Sequence, residues 1–214
     1  MNVISLLDQP NNTMKFPLGL ILVAALFNGC SKKDSLVSTV NPQITELATS
    51  DFTLYRILRG NHYCDVSVFK VVSLKEQNFK VKFDSSAFYK TITEDNQFDI
   101  NKLFGFSEGM DPHKNSARIG WSFNKDSLRL YGYVYNNAVL ATQEITTCKI
   151  GDIISCSIKT DKKHYTFIVD DKSVTLERGV TSELAEGYQL YPYFGGDETA
   201  PHNISIFISL MPGR

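Results

Sequence analysis

The sequence predicts an all-β protein, an antiparallel β-sandwich of two sheets. Three observations carry that prediction. The 214 residues are 43% hydrophobic and 12% aromatic, with fourteen Phe and ten Tyr against one Trp, a balance that suits the half-buried faces of sheets. Apolar and polar residues alternate over short runs separated by turn residues, as strands with one buried face require. No stretch of the globular region shows the 3.6-residue apolar period of a long amphipathic helix. The net charge of −1 is spread along the chain without blocks, so there is no basic field to draw in nucleic acid.

The first strand is expected over Phe52 to Leu58, closed by Arg59-Gly60-Asn61. Val66 to Val72 and Phe79 to Phe83 follow as alternating runs. Asp84 to Lys102 is less regular and reads as a covering loop or short helical turn. Leu103 to Phe106 then leads into a loop, Ser107 to Asn115, carrying Glu108, Asp111 and His113.

The centre of the chain is the most explicit. Ala117, Ile119, Trp121 and Phe123 fall on one face of a strand, with Arg118, Gly120 and Ser122 on the other. Leu128, Leu130, Gly132 and Val134 form the apolar face of the next strand, opposite Arg129, Tyr131, Tyr133 and Tyr135. A two-residue turn at Lys125-Asp126 pairs Arg118 with Tyr133 and Gly120 with Tyr131. A turn at Asn136-Asn137 then sets Arg129 across from Glu144 and Tyr131 across from Thr142. Trp121 is assigned to the core.

Further strands are expected at Asp152 to Ile158, His164 to Val169 and Val174 to Leu176, with Asp170-Asp171-Lys172 as a turn. The last pair is an aromatic strand entering at Tyr188 and a strand with Ile204, Ile206 and Ile208 on one face, joined through Gly195-Gly196-Asp197-Glu198. Cys148 and Cys156 flank Gly151-Asp152. A two-residue turn there throws the cysteines onto opposite faces, and Gly at the first turn position fits that type. A three-residue loop sets them face to face for a disulfide.

The N-terminus reads as an address. Met14-Lys15, an apolar run from Phe16 to Phe27, and a small residue before Cys30 describe an export signal too short to span a bilayer. With Cys30 directly after Gly29 it resembles the bacterial lipoprotein signal, which implies lipidation of Cys30. Residues 1–29 are assigned to the signal peptide, with Met14 as an alternative start, and residues 30–50 to a polar tether. A flexible tether of ~20 residues reaches about 25 Å. Residues 51–214 form the sandwich domain. Ser31 in place of Asp resembles lipoproteins sent to an outer membrane, and Lys32-Lys33-Asp34 resembles surface-export signals. The protein is expected in the cell envelope, held to the membrane through its lipid anchor alone.

Tyr165 to Val174 resembles a hairpin of concanavalin-A-like sandwiches, an aromatic strand ending in a Val-Asp-Asp-Lys turn. Asp99 to Ser107, His113 to Trp121 and Tyr191 to His202 are similar to a group of Bacteroidota lipoproteins, over roughly Phe52 to Ile208. The resemblance implies a concanavalin-A-like jelly roll, a fold that often binds glycans and sometimes cleaves them. The Glu-x-Asp-x-x-Glu strand motif of laminarinase-like hydrolases and the Gln-Ile-His strand of alginate-lyase-like sandwiches are absent from the sequence.

Arg118, Tyr131, Tyr133 and Tyr135 form the expected ligand face. Tyrosine rings stack on pyranose C–H surfaces, while hydroxyls and guanidinium bond sugar hydroxyls or a uronate. Asp197 and Glu198 are candidate Ca²⁺ ligands or, equally, caps for loop amides. His113 and His202, near Glu108, Asp111 and Glu198 in the sequence, are candidate acid/base groups or plain hydrogen-bonding side chains. The leading expectation is a non-catalytic glycan-binding envelope lipoprotein. The alternatives are a polysaccharide lyase or glycoside hydrolase on the same fold, and a structural envelope protein with a protein partner.

Overall fold

In a computed structural model, residues 52–212 are described, and their strands form two antiparallel six-stranded sheets. The first sheet runs in the order β1 (Thr53–Ile57), β12 (Ile204–Met211), β3 (Glu76–Phe83), β8 (Ile154–Thr160), β9 (His164–Val169) and β10 (Lys172–Glu177). The second runs β2 (Val71–Leu74), β11 (Ala185–Leu190), β4 (Asn101–Ser107), β5 (Ser116–Asn124), β6 (Ser127–Asn136) and β7 (Val139–Cys148). The expected all-β sandwich is therefore the observed one. The signal, the tether and Cys30 lie outside the described residues.

The core lies between the inner faces. Ile204, Ile206 and Ile208 of β12 are buried beside Phe79, Val81 and Phe83 of β3. Across the gap, Phe79 meets Phe104 edge-on at 5.2 Å and Phe83 meets Trp121 at 5.4 Å. Each such ring or branched side chain contributes ~1.5–3 kcal/mol by leaving water. Trp121 is fully buried, as its face of β5 predicts. The long connection between β3 and β4 carries two 3-10 turns, Ser85–Ala87 and Glu94–Phe98.

Two features of the strand connections differ from expectation. The β6–β7 turn falls on Asn137 and Ala138, both at positive φ (48° and 65°), one residue beyond Asn136-Asn137. The loop before β5 pins it there: the Asn137 amide donates to Asn115 Oδ1 at 3.0 Å and the Ala138 amide to the Lys114 carbonyl at 2.9 Å. Tyr133 now faces Thr142 and Tyr131 faces Glu144, and a bulge between Leu130 and Tyr131 moves the ladder again. Arg129 still reaches Glu144 diagonally, at 2.8 Å. Lys125-Asp126, by contrast, turns as expected and gives Arg118–Tyr133 and Gly120–Tyr131 pairs.

The second difference is at Gly151. Cys148 ends β7 in one sheet and Cys156 lies on β8 in the other, so the segment between them crosses the sandwich and forms no hairpin. All three described cysteines, Cys64, Cys148 and Cys156, are free thiols. Burial pushes Cys64 up to about 11 and Cys148 up to about 12.

Candidate functional site

The outer face of the second sheet gathers polar and aromatic side chains from three adjacent strands. Arg118 of β5 pairs in register with Tyr133 of β6, and alternation turns both away from the core. Lys102 of β4 joins them through an irregularity. Strict alternation would place Lys102 on the same face as Phe104 and Phe106, inside the sandwich. The β4–β5 register slips between Lys102 and Phe104, so that Leu103 and Phe104 are both buried and Lys102 emerges on the outer face opposite Gly120.

Beyond β11 the chain continues alongside β4, with the Lys102 and Tyr193 backbones exchanging two hydrogen bonds of 2.9 Å. This sets the Tyr193 ring 5.3 Å from Lys102 Nζ. His62 stacks on the Tyr193 ring at 5.2 Å, Tyr63 meets it edge-on at 4.9 Å, and His62 Nδ1 lies 2.9 Å from the Phe194 carbonyl oxygen. Gly195 and Gly196 then pass so close that a Cβ on either would run into Lys102 or Asp99. The Gly195 amide donates to Asn101 Oδ1 at 2.8 Å.

These elements enclose an open cavity of about 430 Å³, lined by Lys102, Arg118, His113, Tyr63, Tyr188 and Tyr193 among others, with no Asp or Glu in its lining. Tyr133 does not line it but packs against two residues that do. The Arg118 guanidinium lies 5.3 Å from the centre of that ring and Lys102 Nζ 5.2 Å, within the range of cation–π attraction. Burial, and secondarily Arg118, holds Lys102 down to about 8, against a smaller opposing pull from Asp99. Burial also lowers Arg118 from its ordinary value and raises the Tyr133 phenol. Burial likewise raises the Asp99 carboxyl. A second hollow of about 560 Å³ beside the Glu94–Phe98 turn mixes lysines with acidic residues, so it lacks the uncompensated charge of the first.

The sequence-predicted residues are distributed as follows. Arg118 lines the cavity, whereas Tyr133 is only 4% exposed and is not part of the lining. Tyr135 sits beside Tyr133 at 5.9 Å and meets His113 edge-on at 5.2 Å, which brings His113 to the cavity wall. Tyr131 points from the same face but shares a 3.0 Å hydrogen bond with Ser122 Oγ and does not line the cavity. His202 is elsewhere, with Nε2 2.8 Å from the Ser86 carbonyl oxygen. Glu108 is not an acid/base partner for either histidine. It forms a buried ion pair with Arg178 at 2.7 Å and accepts from the Tyr165 hydroxyl.

Glu198 serves as a cap in trans for the Glu94–Phe98 turn, accepting from the Ile92 and Thr93 amides at 2.8 and 2.7 Å and from Asn96 Nδ2 at 2.9 Å. Those donors hold its carboxyl below the usual range and occupy the oxygens a Ca²⁺ ion would need. Asp197 is exposed on the same loop, and no cluster of three or more metal-ligating side chains occurs among the described residues.

No family sequence model matches the chain, and no curated protein is similar to it in sequence. Solved structures do match. Alginate lyase AlyC3 superposes with a TM-score of 0.53 at 14% identity, over 77% of this chain and 75% of that one. The laminarinase catalytic domain from Thermotoga maritima gives 0.48 at 13% identity, over 74% and 75%. A family 16 endo-glucanase from Bacteroides ovatus gives 0.46 at 10%, over 74% and 79%. The chain shares the two-sheet, jelly-roll-like β-sandwich fold of the lyase. At 14% identity the likeness to the lyase establishes the fold alone.

Lys102, Tyr193, Tyr188, His62 and Tyr63 complete the site and were not singled out from the sequence. Tyr188 and Tyr193 stand in a conspicuous tyrosine run, but their meeting with β4 depends on a pairing between residues about 90 apart in the chain. For Lys102 the period-2 pattern points to the wrong face, and only the bulge corrects it.

Proposed function

We propose that the protein is a glycan-binding module of the cell envelope and that its ligand occupies the cavity over Lys102 and Arg118. One observation carries the reading: tyrosine rings and hydrogen-bonding cations converge on an open cavity on a rigid sheet face. Such a surface matches a sugar, whose ring faces are apolar and whose rim is all hydroxyls. The cavity volume of about 430 Å³ falls in the usual range for small-ligand sites. The fold it shares with alginate lyase AlyC3 adds weight by analogy only.

In this reading residues 1–29 are removed, Cys30 carries the lipid, and residues 30–50 tether the sandwich of residues 51–214 to the membrane, with an outer membrane as the destination. Calorimetric titration against a panel of polysaccharides tests the binding. Removing the Tyr193 ring should weaken the bound glycan about tenfold, roughly the loss of one good stacking contact. Tyr193→Ala binding every glycan as tightly as the parent would refute the site.

A second reading is cleavage of the polysaccharide at the same face, by elimination or hydrolysis. It is favoured by Lys102, which burial and Arg118 hold down to about 8, so that a neutral amine is present near that pH to accept a proton. His113 at the cavity wall is a further candidate, whereas His202 is bonded at Ser86. New reducing ends in the titrated polysaccharide, lost in Lys102→Gln, would replace binding with catalysis.

A further inference from the structure

The molecule contains two buried arginines in opposite circumstances. Arg178 is fully saturated: it donates to both Glu108 oxygens, at 2.7 and 2.8 Å, and to the Ser182 and Leu184 carbonyls at 2.7 and 3.0 Å. Arg118 is 7% exposed and, among the described residues, has no carboxylate within 4 Å. Among the described residues its Nε has no partner, and its one hydrogen bond is long, 3.4 Å from Nη2 to Ser116 Oγ. A buried guanidinium without a counter-charge is costly, and the cation–π contact with Tyr133 offsets only part of that cost. Lys102 Nζ lies 5.2 Å from the centre of the same ring, also without an ion pair among the described residues. Two cations thus flank one opening with no acid in its lining.

We propose that the ligand is an acidic glycan whose anionic group, a uronate carboxylate or a sulfate ester, seats between Arg118 and Lys102. This rests on the reading of the cavity as the glycan site. The guanidinium fork suits a planar carboxylate through two parallel hydrogen bonds and a sulfate through two of its oxygens. Lys102 supplies the second charge from the adjacent strand. The attached sugar ring then meets Tyr193, which is braced from behind by His62. Groups facing Lys102 are Arg118 from β5, Tyr133 from β6, Tyr193 from the segment after β11 and Asp99 before β4, with Asp197 beyond Asp99. Burial, and secondarily Arg118, holds Lys102 down to about 8, so the bound anion is sensitive to pH there: affinity holds at lower pH and falls as pH rises through about 8, where the free lysine loses its proton.

The test is calorimetric titration of the whole protein with polygalacturonate and alginate (carboxylate), chondroitin sulfate (both groups), carrageenan (sulfate) and laminarin (neutral). Sodium galacturonate and inorganic sulfate serve as small probes. The acidic polymers should bind at least tenfold more tightly than laminarin. Lys102→Gln should remove most of that preference. The decline above pH 8 should vanish in Lys102→Arg, which keeps the charge and controls for folding. Carboxylate and sulfate polymers separate the two anion sources. Equal affinity for laminarin and the acidic polymers, unchanged in Lys102→Gln, overturns the inference while leaving glycan binding intact. Binding of the small anions but of no polymer keeps the anion seat and overturns the glycan reading. No binding of any probe overturns both.

Discussion

Glu108→Ala is expected to be the most destabilising single change near the site, although Glu108 touches no ligand. The Glu108 and Arg178 side chains are 2% and 0% exposed. Deleting the carboxylate strips Arg178 of two charge-assisted hydrogen bonds and leaves the guanidinium facing neutral carbonyls of Ser182 and Leu184. Breaking a buried pair from one side costs ~3–5 kcal/mol, and the surviving carbonyl partners favour the low end. The Tyr165 hydroxyl, which donates to Glu108, is orphaned as well, at a cost of ~1 kcal/mol. The sum is about 4 kcal/mol, or a drop in melting temperature of roughly 8–16 °C for a domain of this size. Urea denaturation followed by the fluorescence of Trp121 measures it. A double variant, Glu108→Met with Arg178→Met, should recover much of the loss, because no uncompensated charge remains. A single-variant cost below ~1 kcal/mol, or a double variant as unstable as the two singles summed, would refute the view of this pair as a sealed, coupled unit. The Glu108 amide also closes the loop bearing His113 by donating to the Asn115 carbonyl at 2.8 Å, a main-chain bond that Glu108→Ala keeps.

Two further outcomes are expected. Gly196→Ala should cost more than Gly60→Ala, although both glycines have positive φ (87° and 80°), because a Cβ at Gly60 meets open space and one at Gly196 meets Asp99. The conformational part is ~1 kcal/mol at each, and the excess, read by thermal unfolding, reports the close approach of the loop to β4; equal costs would show that Asp99 yields freely. In a bacterial host, palmitate labelling of the full chain should be lost in Cys30→Ala; retained label would place the lipid elsewhere, and an unlabelled parent chain would refute lipidation.

Much of the architecture was legible because a sheet imposes a period of two. Arg118 and Tyr133 could be put on one face, and paired, from alternation and the Lys125-Asp126 turn alone. Trp121 went to the core by the same count, and the β9–β10 hairpin followed from its turn residues. Alternation fails wherever a strand carries an extra residue. Lys102 counts as an inward residue from Phe104 and Phe106, and the bulge at Leu103 reverses it. The Asn136-Asn137 turn failed for a related reason, since Asn115 and Lys114, more than twenty residues away, hold the turn one position along.

Sequence alone determined the all-β class, the polar face of the β5–β6 pair and the inward isoleucines of β12, because each depends on neighbours a few residues apart whose geometry the backbone fixes. Tertiary structure decided which groups meet. It sent Cys148 and Cys156 to different sheets, gave Glu108 to Arg178, turned Glu198 into a cap, and brought Lys102, Arg118 and Tyr193 around one opening. Whether a charge finds a partner or faces an empty cavity depends on contacts between distant segments, and local pattern carries no record of them.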